Sequence, residues 1–145
     1  MALLDIAQET RLSDIVFHEQ DPCVGAARED INVTPTTTPI KAGTVVFRAL
    51  SELDQYAPYT VLTDATALTV ENEFGIVIGD QFSFRSEFTP KAVAGKTFNA
   101  VVLKRGNIQV KEYLPKQIHG ETLGEDFETL RELLKRQGVI MELTV

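Results

Sequence analysis

The sequence predicts a mainly β, β-rich α+β fold: short strands, one C-terminal helix, and an extended N-terminal arm. From Ile31 to Val110 the apolar and β-branched residues come in short runs, often at alternate positions, bounded by Gly, Pro, Asn or Asp. A sustained helical repeat occurs over Phe127, Leu130, Leu133 and Leu134, just before a last apolar run. Residues 1–27 keep neither period for long, so they are assigned to an arm and 28–145 to one domain.

In the arm, Leu3, Leu4 and Ala7 suit one helical face, and Leu12, Ile15 and Val16 another. Ile15-Val16-Phe17 equally suits a short extended piece, before Asp21-Pro22 breaks regularity. Ile31 and Val33 alternate with Asn32 and Thr34 as a first strand. Pro35 and Pro39 lack amide donors, so the Thr/Pro tract is an edge or a connection. Gly43 marks a tight turn into Thr44–Arg48, with Val45 and Phe47 on one face and Val46 on the other. Ser51–Pro58 reads as a loop, Tyr59–Thr63 as a strand, and Asp64–Asn72 as a helical turn or loop. Phe74–Gly79 is an apolar strand, continued as extended chain through Phe82 and Phe84.

Phe98–Leu103 and Ile108–Val110, joined across Lys104-Arg105-Gly106-Asn107, predict a hairpin with Gly106 at positive φ and Pro115 as its end. Thr122 and Glu125 have capping-box spacing ahead of the helix. Lys135 and Arg136 suit its C-terminus, Gly138 suits the position after it, and Val139–Leu143 is the final strand.

The composition bounds the chemistry. The 145 residues are enough for one core without metal or disulfide support, with 43% hydrophobic and 24% charged residues. A net charge of −7 disfavours nucleic acid and anionic lipid as partners. No apolar run is long enough for a membrane span, and Asp5 and Glu9 with no basic start do not suit a secretory signal. Cys23 is a single thiol without a motif around it and reads as a small apolar residue. The sequence carries no phosphate loop, dinucleotide fingerprint, nucleophile elbow or HExxH pattern. Glu71 and Glu73 would face one side if extended and Asp80 follows a glycine, but no histidine or further acid sits at useful spacing, and they read as surface carboxylates. Lys104-Arg105 reads as a solvent-exposed pair at a turn. The expectation is a non-enzymatic chain with no catalytic, cofactor or metal residues.

Four segments in collinear order give the chain a resemblance. AREDINVTPTTTPIKAGTVVFRA, FGIVIGD, AVVLKRGNIQVKEYLP and LRELLKRQGVIMELTV together resemble the lambda-like head decoration proteins of tailed bacteriophages. They match a charged lead-in with a Lys-Ala-Gly-Thr-Val turn and strand, a central Gly-Ile strand, a hairpin ending in Leu-Pro, and a closing helix and strand. Tyr113-Leu114 departs from the family's Trp-Pro, and the N-terminal extension is long.

The resemblance implies a small barrel-like, β-tulip domain that forms homotrimers. Such trimers sit on the outer surface of the expanded head, at three-fold and quasi-three-fold positions, and clamp the major capsid protein against internal DNA pressure. It implies a virion protein made in the host bacterial cytoplasm. It also implies a capsid-binding arm, for which Leu12, Ile15, Val16, Phe17, Arg28, Glu29, Asp30, Ile31, Asn32 and Val33 are the candidate residues. Three other readings stay open. Lys-Ala-Gly-Thr-Val also occurs in lipoyl and biotinyl carrier barrels, for which Lys104 is the candidate modified lysine; the others are a small enzyme with a site assembled across subunits, and a phage tail or neck protein of the same virus class.

Overall fold

A computed structural model describes residues 15–18, 28–80, 87–89, 99–106 and 108–142. Expectations for Leu12, Cys23, Phe82 and Phe84 lie outside them. The fold is sheet-rich α+β, as its short apolar runs predict. Ten strands are described: β1 (Val16–His18), β2 (Arg28–Ile31), β3 (Ile40–Lys41), β4 (Val45–Ala49), β5 (Thr60–Val61), β6 (Asn72–Gly79), β7 (Glu87–Phe88), β8 (Ala100–Leu103), β9 (Ile108–Lys111) and β10 (Val139–Glu142). Helix α1 (Tyr113–Leu123) and helix α2 (Phe127–Arg136) lie between β9 and β10.

The strands form a five-stranded antiparallel sheet ordered β2-β8-β6-β4-β5, a three-stranded sheet ordered β1-β9-β10, and the β3-β7 pair. The five-stranded sheet is apolar on both faces, which explains why Phe74–Ile78 reads as a continuous hydrophobic run. One face, with Val45, Phe74, Ile76 and Leu103, packs on the main core beneath α1, α2 and the smaller sheet. The other face, with Val46, Val77 and Val102, packs under Ile31, Val33, Ile40 and Tyr59. Val45 and Val46 therefore separate to the two faces, as their alternation requires.

Gly75 permits a close cross-strand approach. A methyl group there would lie 2.9 Å from Val102 Cβ and Cγ2. Gly43 has φ +98°, and an added Cβ would meet Leu114 Cβ at 2.8 Å. The β3–β4 turn thus fits directly beneath α1.

Three sequence expectations are corrected. The segments β8 and β9 do not pair with each other. Gly106 does take positive φ (91°), but β8 lies between β2 and β6, while β9 pairs antiparallel with β1 and parallel with β10. Alternation identifies a strand's faces and is silent about which edges its backbone bonds.

Pro115 does not end a strand. It is the third residue of α1, where a missing N–H costs no intrahelical bond, and Lys116 N–H donates the first such bond to Glu112 O (2.8 Å). Thr122 and Glu125 do not form a capping box. Thr122 lies inside α1, a 3₁₀ turn (Gly124–Asp126) leads straight into α2, and no side chain caps α2. The early amides of α2 are continued by that turn, as the bond from Phe127 N–H to Gly124 O illustrates.

The predicted stripe of α2 is buried in full at Phe127, Leu130, Leu133 and Leu134. Gly138 follows with φ 87° and directs the chain into β10.

Candidate functional site

The candidate arm residues separate on folding. Ile15 is fully buried in the main core, its carbonyl accepts from Lys111 N–H (2.6 Å), and Val16 sits opposite Val110 in the β1–β9 pair. Phe17 continues β1. Val16–His18 are thus a sheet strand, with Ile15 bonded at its start. Arg28–Ile31 form β2 at the edge of the five-stranded sheet, in register with Leu103–Ala100. Ile31 and Val33 are buried in the second core, whereas Asp30 is exposed and Arg28 and Asn32 are half-buried. Asn32 holds the loop ahead of Tyr59 through its side-chain bond to Tyr56 O (2.9 Å).

Glu29 belongs to a charged cluster that sequence reasoning missed. Lys104 Nζ lies 2.8 Å from Glu29 Oε2 and 3.1 Å from Glu73 Oε1. Glu73 Oε1 also accepts from Arg48 Nη2 (3.0 Å) and Tyr59 Oη (2.6 Å). Tyr59 Oη in turn accepts from Lys104 Nζ (2.9 Å), and the Arg48 guanidinium lies 4.5 Å from the Tyr59 ring centroid. Lys104 is only 13% exposed, so the expectation of an exposed basic pair holds for Arg105 alone, which meets Glu29 at 3.1 Å. Arg48 and Glu73 are direct cross-strand partners in the β4–β6 register. Arg48 and Glu73 lie 25 positions apart, so neither that pairing nor the contribution of Tyr59 shows in local sequence pattern.

Electrostatics follow from this geometry. Burial pushes the Glu73 and Glu29 carboxyls up, but their hydrogen bonds and charged partners outweigh it and hold both below the ordinary range. Burial lowers Lys104, and its carboxylate and tyrosine partners more than offset that. Tyr59 is pushed up to about 12 by burial and by its bond to Glu73. The cluster is a latch of opposite charges joining β2, β4, β6, the residue after β8, and Tyr59.

A second feature is a groove of about 1080 Å³ between α1 and the chain of residues 36–44 and 61–63. His119, buried on α1, lines it. Its Nε2 accepts from Val45 N–H at 2.8 Å, and burial pushes its pKa down to about 4. The ring is neutral, so the proton sits on Nδ1.

The start of α1 is joined to the middle of α2 through a buried carboxylate. Glu112 accepts from Arg131, which also donates to Met141 O (2.7 Å), and the pair ties α1, α2 and β10 together. Gln137 completes the other side of α2. Its amide accepts from Phe74 N–H (2.8 Å) and donates to Phe74 O (2.7 Å) and Lys104 O (2.9 Å).

Among the described residues no group of three or more His, Cys, Asp or Glu side chains is placed to hold a metal ion, and no described helix is long and apolar enough to cross a membrane. No family model, curated protein or solved structure matches the chain. The fold and these contacts define a sheet-rich α+β domain in which the Glu29–Arg48–Tyr59–Glu73–Lys104 cluster, the Glu112–Arg131 pair and Gln137 hold its elements together.

Proposed function

We propose that this chain is a structural head decoration protein of a tailed bacteriophage. In this reading it binds as a homotrimer to the outer face of the expanded shell and clamps neighbouring copies of the major capsid protein. The observation that carries the reading is the collinear order of the four resembling segments, which supply β2–β4, most of β6, β8–β9, most of α2 and β10. A net charge of −7 supports it too, since a negative surface keeps an external protein off the packed genome. Trimeric attachment makes weak contacts sum multivalently.

The position of Lys104 favours this reading over a carrier barrel. A lysine that bears a swinging prosthetic group must project freely, and Lys104 is held by Glu29, Glu73 and Tyr59.

Co-sedimentation with expanded shells tests the proposal. The full chain is expected to pellet with shells at a saturating copy number divisible by three, and failure to pellet ends the reading. The docking role of the arm is tested by removing residues 1–14. A deletion extended to residue 33 also strips Ile15, Ile31 and Val33 from the cores, so it confuses docking with folding. Undiminished shell binding by the shorter truncation rules out residues 1–14 as the dock.

A further inference from the structure

Among the described residues, the groove beside α1 contains an open strand edge. Leu62 N–H donates to Val45 O (2.9 Å), so the backbone groups of Leu62 face β4. Those of Val61, one residue earlier, therefore point the opposite way. The same outer edge is filled at Tyr59, whose N–H donates to Asn32 O (2.8 Å) and whose carbonyl accepts from Thr34 N–H (2.9 Å). A parallel ladder continuing from that bridge would next pair Val61, but Pro35 follows and Thr36 Oγ1 closes the turn onto Thr38 O (2.6 Å). Val61 N–H and C=O have no partner among the described residues.

The walls of the groove define what fits the edge. Leu62, Ile118 and Leu123 supply apolar surface, and Thr36, Thr38 and Thr63 supply short hydroxyls. The rim charges Lys41 and Glu87 are opposite in sign and are cross-strand partners in the β3–β7 pair. The groove therefore presents no net charge for a charged ligand to complement. His119 is 4% exposed, and its Nδ1–H has no protein partner among the described residues, while Nε2 is committed to Val45. Among the described residues the groove thus holds a ring N–H donor, an open main-chain donor and an open main-chain acceptor. At the upper end of the ~300–1,000 Å³ range of ligand pockets, it has room for a short extended chain.

We propose that this groove is a peptide-binding site, in which an extended, uncharged segment of another protein with apolar residues at alternate positions adds as a strand to the outer edge of β5. A polypeptide backbone offers a donor and an acceptor at the spacing that Val61 presents, and alternate side chains then enter the apolar lining. The site is independent of the capsid reading and stands on the edge of β5 and on His119.

Two measurements on the full chain test it. In the free protein the Val61 amide is expected to exchange with solvent at least about tenfold faster than that of Leu62, because only the latter is bonded in a ladder. Equal protection overturns the proposal. Next, a random decapeptide display library is selected on the immobilised chain. Expected winners are uncharged, alternate apolar residues, and slow Val61 exchange on binding. They should bind Val61→Pro at least about fivefold more weakly, the effect of one lost main-chain hydrogen bond. Proline there removes the outward N–H and leaves the β4 ladder intact. No enrichment, charged winners, or equal binding to a folded Val61→Pro chain overturns the proposal. So does a Val61→Pro chain that turns from oligomer to monomer, since a second copy then fills the edge. Should that variant not fold, the exchange of Val61 with and without bound winners decides alone.

Discussion

At the scale of single residues, the stability of this chain rests on a few polar side chains held inside it. His119 is neutral in the fold with a pKa of about 4, against an ordinary value of 6.5. Between those values the unfolded chain binds more protons than the folded one, so stability rises with pH across that window and is lost as pH falls through it. The full effect is on the order of a few kcal/mol, since each tenfold change in proton affinity is about 1.4 kcal/mol. Urea melts between pH 4 and 7 are expected to show that slope, and His119→Gln to flatten it. The depressed carboxyls of Glu29 and Glu73 act lower down, with stability present above the ordinary carboxyl range and lost as pH drops below it. Tyr59→Phe removes one donor from Glu73 and one acceptor from Lys104. A loss of about 1–3 kcal/mol is expected in denaturant melts. Gly75→Ala drives a methyl into Val102 and is expected to cost about 1–3 kcal/mol, with Val102→Ala in the same chain recovering part of it.

At the scale of elements, the Arg131–Glu112 pair decides how the helices meet. Glu112 is buried at the mouth of α1, and Arg131 on α2 is its nearest cation, with Lys116 farther off at 3.8 Å. Arg131→Met leaves a buried carboxylate without its main partner and is expected to cost about 3–5 kcal/mol. The double variant with Glu112→Gln should regain most of that, because the uncompensated charge is gone. If the single and double variants melt alike, the pair is not what joins α1 to α2. The stripe of α2 was legible because a long amphipathic repeat has one solution. Helix α1 was not, since Tyr113-Leu-Pro-Lys has no such repeat and its proline invites a strand ending. Its place is set by contacts from elsewhere: Gly43 beneath Leu114, and Val45 N–H on His119.

At the scale of the whole molecule, the proposed trimer makes assembly measurable. Native mass spectrometry at micromolar concentration is expected to show a trimer under the decoration reading, and a monomer counts against it. The five-stranded sheet is apolar on both faces, so its cohesion does not depend on a partner. Loss of assembly is therefore expected to leave the secondary structure unchanged by circular dichroism. The candidate arm was only partly legible as a unit. Ile15 and Val16 look like arm residues because few apolar neighbours flank them in sequence, yet their neighbours in the fold, β9 and the main core, lie about a hundred positions away.

By itself the sequence determined the local facts: where strands alternate, where Gly43, Gly106 and Gly138 turn the chain, which face of α2 is apolar, and the −7 charge. Each depends on residues close together in the chain, so pattern and propensity suffice. The tertiary structure alone decided the partner of every strand, the separation of β8 from β9 into two sheets, the start of α1 at Tyr113 ahead of Pro115, and the meeting of Glu29, Arg48, Tyr59, Glu73 and Lys104. Those outcomes turn on which distant backbone edges and charges become neighbours on collapse, and that selection is made by packing of the whole chain.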